Sequence, residues 1–230
     1  MSFDNPSKNR VPLTKIQKLI GQRMLDSKQK KPCFYIDLKA DVTELMTLRP
    51  KLRKSFGVKI TTNAFYIRSL ALAVKKYPLV VGILDGDNIR IADQINVGFA
   101  VNAPQGLVVP VIKTADEKTL SDIAKEEQLL TEYARDNQLT LEQMENQTIA
   151  LSNLGAYGID SFIGIVPPTV SAILAIGNAI NTLAVKDGKP AARKMVKLSL
   201  AIDSKVIDPV YAAKFLNSIK EQLQEPKLLT

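Results

Sequence analysis

The side chain best suited to proton transfer near neutral pH is missing from this sequence, which contains no histidine. Imidazole is the one unperturbed side chain that titrates between pH 5 and 8. A Ser-His-Asp or Cys-His arrangement therefore cannot be built, nor a His-based metal site. Chemistry near pH 7 falls to carboxylates, lysines, tyrosines, one thiol and the backbone. The single cysteine, Cys33, excludes an internal disulfide and is too few for a cysteine-rich zinc site. With no histidine to activate it, Cys33 reads as a small strand residue and not as a catalytic thiol. The carboxylate pairs Asp85/Asp87 and Glu126/Glu127 fall in turn-like or helical stretches and read as solvated. Neither G-x-G-x-x-G nor a P-loop occurs, which excludes nucleotide binding of those kinds.

These residues must be held by elements that the apolar pattern sketches. Thr14 precedes a helical stretch to about Ser27, with Ile16, Leu19, Ile20 and Met24 on one face. Pro32 breaks it. Phe34 to Val42 alternates as a strand with one buried face. A helix from about Thr43 contains Pro50, which should kink or split it. The stretch Thr62 to Tyr77 is apolar nearly all round, as in a buried helix. Ile89–Ile91, Ile95–Val101 and Leu107–Ile112 read as strands, with a turn at Pro104-Gln105-Gly106. Ser121–Asn137 reads as a charged surface helix, and Thr140 with Gln143 fits a capping box for a shorter one. Thr148–Ser152, Ser171–Ile176 and Val196–Ile202 read as strands, with a turn at Asp187-Gly188. Asp208 can cap a last helix, Pro209 suits its first position, and Val210, Ala213, Leu216, Ile219 and Leu223 form its inner face. Strands and helices interleave, which points to a mixed α/β sheet carrying helices.

With 230 residues, 46% of them hydrophobic, the chain fits one large domain, and no Pro/Ser/Gly-rich linker divides it. Residues 1–10 are expected to be a flexible leader and 11–230 the core domain. The longest nearly apolar stretch, Ile165 to Ile176, is too short to cross a bilayer and contains Pro167 and Pro168, so no membrane partner is expected. The polar start is no secretory signal, and with one cysteine a cytoplasmic setting is expected. The net charge of +8 invites a nucleic-acid reading. The lysines are scattered, however, with short clusters only at 28–31 and 51–54 and no interleaved aromatics. Nucleic acid is therefore not expected; a phosphate-bearing substrate or an acidic partner suits the charge better.

Three stretches act in combination: Ile95 to Ile112; Leu151-Ser-Asn-Leu-Gly-Ala-Tyr-Gly-Ile-Asp-Ser161, continuing to Gly177; and Asp203-Ser-Lys-Val-Ile-Asp-Pro-Val-Tyr211, continuing to Leu216. With Val11-Pro-Leu-Thr-Lys-Ile16 and Gly21-Gln-Arg-Met24, they closely resemble, in order, the catalytic core of the dihydrolipoamide acyltransferases of 2-oxo acid dehydrogenase complexes. The resemblance spans about Val11 to Leu229. It implies an α/β fold like chloramphenicol acetyltransferase, a mixed sheet with flanking helices. It also implies homotrimers that can build cubic or icosahedral cores, with the active site between subunits. The reaction it implies moves an acyl group between the thiols of coenzyme A and lipoamide. No cofactor would be covalently bound, and coenzyme A would be substrate or ligand.

The resemblance assigns the oxyanion donor to Ser152 and the later acidic position to Asp208. It puts the family's histidine base at Ser204, its arginine at Lys205 and its glycine at Pro209. A serine hydroxyl is a poor acceptor of a thiol proton and shorter than imidazole. The resemblance thus implies a core subunit with little or no activity, acting as a scaffold beside an active paralogue or other dehydrogenase-complex subunits. Two alternatives stand beside it. One is acyl transfer to a pre-ionised thiol or an amine, or with a buried Lys205 as base. The other is a coenzyme A or acyl-CoA sensor without turnover. Each residue also has a structural reading: Ser152 satisfying the backbone at a strand end, Asp208 as a helix cap, Lys205 solvated, and Ser204 filling an emptied site. No lipoyl-lysine or subunit-binding domain precedes Val11, as expected of a trimmed piece or a stand-alone homologue.

Overall fold

The computed structural model describes residues 10–186 and 188–230, with Lys15 and Ile16 described by their backbone alone. The expected leader lies outside these residues apart from Arg10, as does Asp187 of the expected turn; Gly188 is left-handed with φ 75°. No helix among the described residues is long and apolar enough to cross a membrane.

Helix α1 (Lys15–Lys30) begins at a capping box. The Thr14 hydroxyl accepts the Gln17 N–H at 3.1 Å, and the Gln17 side chain accepts the Thr14 N–H at 2.9 Å. The helix runs past Ser27 and stops short of Pro32. Strand β1 (Cys33–Asp41) follows, with Phe34, Ile36 and Leu38 packed on the core and Tyr35, Asp37 and Lys39 exposed. Helix α2 (Thr43–Phe56) continues through Pro50 undivided and ends at Gly57, φ 67°, the left-handed stop that favours glycine. Helix α3 (Thr62–Lys76), capped by the Thr61 hydroxyl, is buried almost all round, as its composition predicts.

Strands β2 (Gly82–Asp85) and β3 (Asn88–Ile91) form a separate hairpin. The next region corrects the sequence reading. Two continuous strands are expected, and four short ones occur: β4 (Val97–Phe99), β5 (Val101–Ala103), β6 (Gly106–Val108) and β7 (Val111–Ile112). Pro110 has no N–H to continue a ladder. Its carbonyl accepts the Phe99 N–H at 3.0 Å, beyond which β5 and β6 form their own hairpin around Gly106, φ 124°. Helix α4 (Leu120–Arg135) is capped by Thr119. The Thr140–Gln143 box forms in both directions, yet it opens only a 3-10 turn, Glu142–Met144.

Strands β8 (Ile149–Asn153) and β9 (Ala172–Ile176) match expectation. Strand β10 (Ile180–Lys186) is not foreseen, and β11 (Lys189–Asp203) starts well before Val196. Helix α5 (Pro209–Gln224) buries Ala212, Phe215, Leu216, Ile219 and Leu223, while Val210, expected inside, is exposed.

The main sheet has the order β1-β11-β9-β8-β4-β7, with β10 on the outer part of β11. Strand β8 is parallel to β4 and β9, and the other pairings are antiparallel, so the sheet is mixed as expected. Its first face carries the large core, where Phe65, Phe99, Leu174, Ile202 and Phe215 are buried with α3 and α5. Its second face is covered by the irregular crossover 154–171, whose Val166 and Val170 pack on Ala150, Ile173 and Ala201. Because alternate strand residues share a face, Ser152 belongs to this second face with Ala150.

Candidate functional site

Ser152 lies half-buried in β8, opposite Ala175 of β9. That row continues to Ser199 of β11 and Asp37 of β1. The turn after it is tightly fixed. Leu154 N donates to Ile176 O at 3.1 Å, Gly155 N to Asn153 Oδ1 at 2.9 Å, and Asn153 Nδ2 to Asn63 Oδ1 at 3.4 Å. Backbone meets backbone here. A Cβ on Gly177 would lie 1.9 Å from the Asp160 carbonyl oxygen, and one on Gly155 would lie 2.5 Å from that of Gly177. Gly155 and Gly177 are thus explained by close chain approach, whereas Gly158 takes a left-handed turn with φ 75°. Among the described residues the Ser152 hydroxyl has no hydrogen-bond partner, unlike its neighbour Asn153.

Below that row, on the first face, the expectation for Glu127 fails. It is not solvated: it is 7% exposed, and Thr61 Oγ1 donates to its Oε2 at 2.8 Å. Burial pushes its carboxyl above the usual range, opposed by hydrogen bonds from Thr61 and Asn63 and by the charges of Lys59 and Arg135. Glu126 is the more exposed member of the pair, held by Lys118 at 2.6 Å. Helix periodicity could have revealed this: Ile123, Leu130 and Ala134 are buried on the face that Glu127 shares.

The third stretch forms a turn between β11 and α5. Val206 and Ile207 anchor it in the core. Asp208 accepts the Val210 and Tyr211 N–H groups, each at 2.9 Å, and so caps α5. Ser204 is exposed, and its hydroxyl and N–H both donate to the Pro32 carbonyl, at 2.5 and 3.1 Å. Lys205 is exposed too, its ammonium donating to Lys30 O at 2.7 Å and its N–H to Asp203 Oδ1 at 3.1 Å. The burial that a lysine base would need is absent. Ser204 and Lys205 therefore tie the end of α1 and the start of β1 to this turn.

Lys31 and Cys33 lie beside the turn. Lys31 Nζ donates to the carbonyls of Pro167 and Val170, at 2.9 Å for the first. Burial lowers its pKa, with Asp203 and Cys33 acting against that shift. Burial pushes the Cys33 thiol up, the Asp203 carboxylate adds to the push, and Lys31 and Lys28 oppose it. A protonated thiol is a poor nucleophile, which agrees with Cys33 as a strand residue.

Ser204 and Asp208 share one turn, but Ser152 is remote from them. Ser204 stands five residues beyond Ser199, and Ser199 lies two strands from Ser152. At about 3.3 Å per residue and about 4.8 Å per strand, roughly 19 Å separates Ser152 from Ser204. One copy of the chain does not bring the two together. Among the described residues, no group of three or more Cys, Asp or Glu side chains could hold a metal ion. A shallow groove of about 390 Å³ continues the Ser152 row, lined by Tyr35, Phe162, Ser199 and the Asp37–Lys197 ion pair of 2.9 Å.

Comparison with known proteins agrees with the fold. The family described as 2-oxoacid dehydrogenases acyltransferase (catalytic domain) matches residues 5–230. A dihydrolipoyllysine-residue acetyltransferase component of the pyruvate dehydrogenase complex from Rickettsia bellii is 34% identical over 98% of the chain and 55% of its own length. The chain thus spans about half the length of the curated relatives it matches. The solved dihydrolipoamide acetyltransferase of Azotobacter vinelandii is similar, with a TM-score of 0.91, 31% identity and coverage of 96% of this chain and 93% of that one. That work concerned the catalytic role of a serine, a histidine 52 positions later and an asparagine four beyond it. Here Ser152 and Ser204 are likewise 52 positions apart, and Asp208 stands four beyond Ser204. The cubic core of a pyruvate dehydrogenase multienzyme complex also has a TM-score of 0.91, at 30% identity, covering 96% of this chain and 93% of that one. Chloramphenicol acetyltransferase, 15% identical with a TM-score of 0.56 over 88% of this chain and 94% of its own, shares the fold.

Proposed function

The chain belongs to the family of 2-oxoacid dehydrogenase acyltransferase catalytic domains, and from that membership we propose that it is a core subunit that assembles but turns over barely or not at all. Acyl transfer between thiols needs a base within reach of the attacking thiol and a donor aimed at the oxyanion. Ser152 suits the donor, and its hydroxyl is unengaged among the described residues. Ser204 occupies the position that the family's histidine implies, and the matching 52-residue and four-residue spacings support that assignment. The carrying observation is the hydrogen bond from the Ser204 hydroxyl to the Pro32 carbonyl, 2.5 Å long. The hydroxyl donates its proton there, and nothing basic stands in its place. Loss of a general base costs about 10²- to 10⁴-fold in rate.

The subunit would act as a scaffold in homotrimers or a larger cubic or icosahedral core, beside other dehydrogenase-complex subunits. Coenzyme A would be its ligand or weak substrate. The test is acyl transfer from acetyl-CoA to dihydrolipoamide by the purified protein, with light scattering for assembly size. Turnover near that of a histidine-bearing relative would refute the reading. The open Ser152 hydroxyl favours a second reading, transfer to a pre-ionised thiol or an amine. In that case Ser152→Ala abolishes activity on the true acceptor, and unchanged turnover removes this alternative. Calorimetry with coenzyme A separates a ligand-binding subunit from a bare scaffold.

A further inference from the structure

We infer that Glu127 is a positioning residue for the Ser152 turn: its buried carboxylate fixes the direction of a hydrogen-bonded relay that runs through Asn63 and Asn153 to the Gly155 N–H, and a proton taken up from solvent reverses it. The role rests on the reading of Ser152 as oxyanion donor given above and adds a control over that residue's surroundings.

The relay crosses three elements. Gly155 N donates to Asn153 Oδ1 at 2.9 Å, and Asn153 Nδ2 donates to Asn63 Oδ1 at 3.4 Å. Asn63, in the first turn of α3, hydrogen-bonds the Glu127 carboxyl. Thr61, the cap of that helix, donates its hydroxyl to Glu127 Oε2 at 2.8 Å. Every donor points the same way, toward Glu127. A carboxylate only accepts, so Asn63 must turn its Nδ2 to the charge and its Oδ1 to Asn153. Asn153 must then answer with Nδ2, which leaves its Oδ1 for Gly155. One charge thus sets two carboxamides and, through them, the turn that begins at Ser152. The N-terminal end of α3 carries partial positive charge, which favours a carboxylate there.

Protonation removes that constraint. A neutral carboxyl has one O–H to donate. Asn63 is then free to offer its Oδ1 to that O–H, which puts its Nδ2 toward Asn153. Asn153 accepts with Oδ1 and turns its own Nδ2 toward the Gly155 N–H. Two donors meet, and the Gly155 hydrogen bond is lost. Leu154 N, held by Ile176 O at 3.1 Å, lies outside the relay. Mild acid suffices, because Glu127 is 7% exposed and burial raises its affinity for a proton. Lys59, ahead of α3, and Arg135 of α4 oppose that shift by charge, and both are exposed. On α3, Arg68 donates to the Asp116 carbonyl at 2.9 Å and Lys75 lies 3.8 Å from the Asp116 carboxylate. Strands β5 and β7, which also pack on α4, contain no titratable side chain. A buried charge of this kind costs the fold stability while it specifies orientation.

Hydrogen exchange at the Gly155 N–H, corrected for the intrinsic pH dependence of exchange, tests this on the assembled protein. It needs no turnover, so the acyl-transfer assay above succeeds or fails independently of it. As pH falls from neutral through 4.5, the ordinary value of a glutamate, protection at Gly155 should drop about tenfold, the scale of one hydrogen bond. Leu154 should keep its protection. In Glu127→Gln, which cannot ionise, the drop should vanish. Asn63→Ala cuts the relay without touching the carboxyl, and the drop should vanish there too; this variant carries the test if Glu127→Gln does not fold. A drop that persists in either folded variant, a parent protein without one, or a loss at Leu154 equal to that at Gly155 overturns the relay. None of these outcomes bears on the missing base.

Discussion

Replacing Ser204 with alanine separates a filler from a participant. The hydroxyl donates to the Pro32 carbonyl at 2.5 Å from an exposed position. A typical intramolecular hydrogen bond contributes about 0.5–1.5 kcal/mol net, and the larger penalty arises only when a buried partner is left unsatisfied. That does not happen here, because the Ser204 N–H still donates to the same carbonyl at 3.1 Å. The expected cost of Ser204→Ala is therefore about 1 kcal/mol, or about 2–4 °C in Tm for a chain of this size. Thermal unfolding at one fixed protein concentration measures it, since assembly makes Tm depend on concentration. The companion assay is residual transfer from acetyl-CoA to dihydrolipoamide, which should not change. A tenfold loss, about 1.4 kcal/mol on the barrier, would put this hydroxyl in the chemistry and refute the assignment. A Tm loss several times larger would refute the account of the Pro32 carbonyl.

Three further changes probe the frame around the site. Asp208→Ala removes the cap of two N–H groups on α5 and should cost about 1 kcal/mol, against a few tenths for Asp208→Asn; equal losses in urea unfolding would contradict the cap. Glu127 has a raised folded-state pKa, so its contribution is full below its unfolded value of 4.5 and is lost as pH rises through the folded value. Glu127→Gln removes that loss, so its stability relative to the parent should improve as pH rises above 4.5; a difference independent of pH would show that the carboxyl ionises freely when folded. Gly177→Ala would drive a Cβ to 1.9 Å from the Asp160 carbonyl oxygen, so hydrogen exchange at Leu154 and Gly155 should accelerate. Preserved protection there would show that the crossover yields without disturbing Ser152.

Much of the frame was legible because single patterns dictate it. The Thr14–Gln17 box, the alternation of β1, the apolar α3 and the Asp208-Pro209 start of α5 each follow from local chemistry, and each appears. The misreadings come from longer range. Whether Ile95 to Ile112 forms two strands or four depends on where the Phe99 N–H finds the Pro110 carbonyl. Strand β10 escaped because Leu183 and Val185 face solvent, each 77% exposed, so no buried face marks it. Glu127 looked solvated because it sits in a charged helical run, although its own face of the helix is apolar. Of the site, the types and spacing of Ser152, Ser204 and Asp208 could be read from sequence alone. The gap between Ser152 and the other two could not, since it depends on strand order and register.

The ribbon of β10 and the outer half of β11 is held by one ladder, from Ile180–Met195 to Lys186–Lys189. Two strands alone are marginal in water, and here the root is anchored by the ion pair of Arg193 with Asp41, 2.5 Å. The tip carries Lys186 and Lys189 beside exposed Leu183 and Val185, so it offers trypsin a foothold and other molecules a sticky edge. A nick there should leave the body folded, with each strand still joined to it at the root. Trace protease would thus split the chain into two fragments that stay together through the sheet.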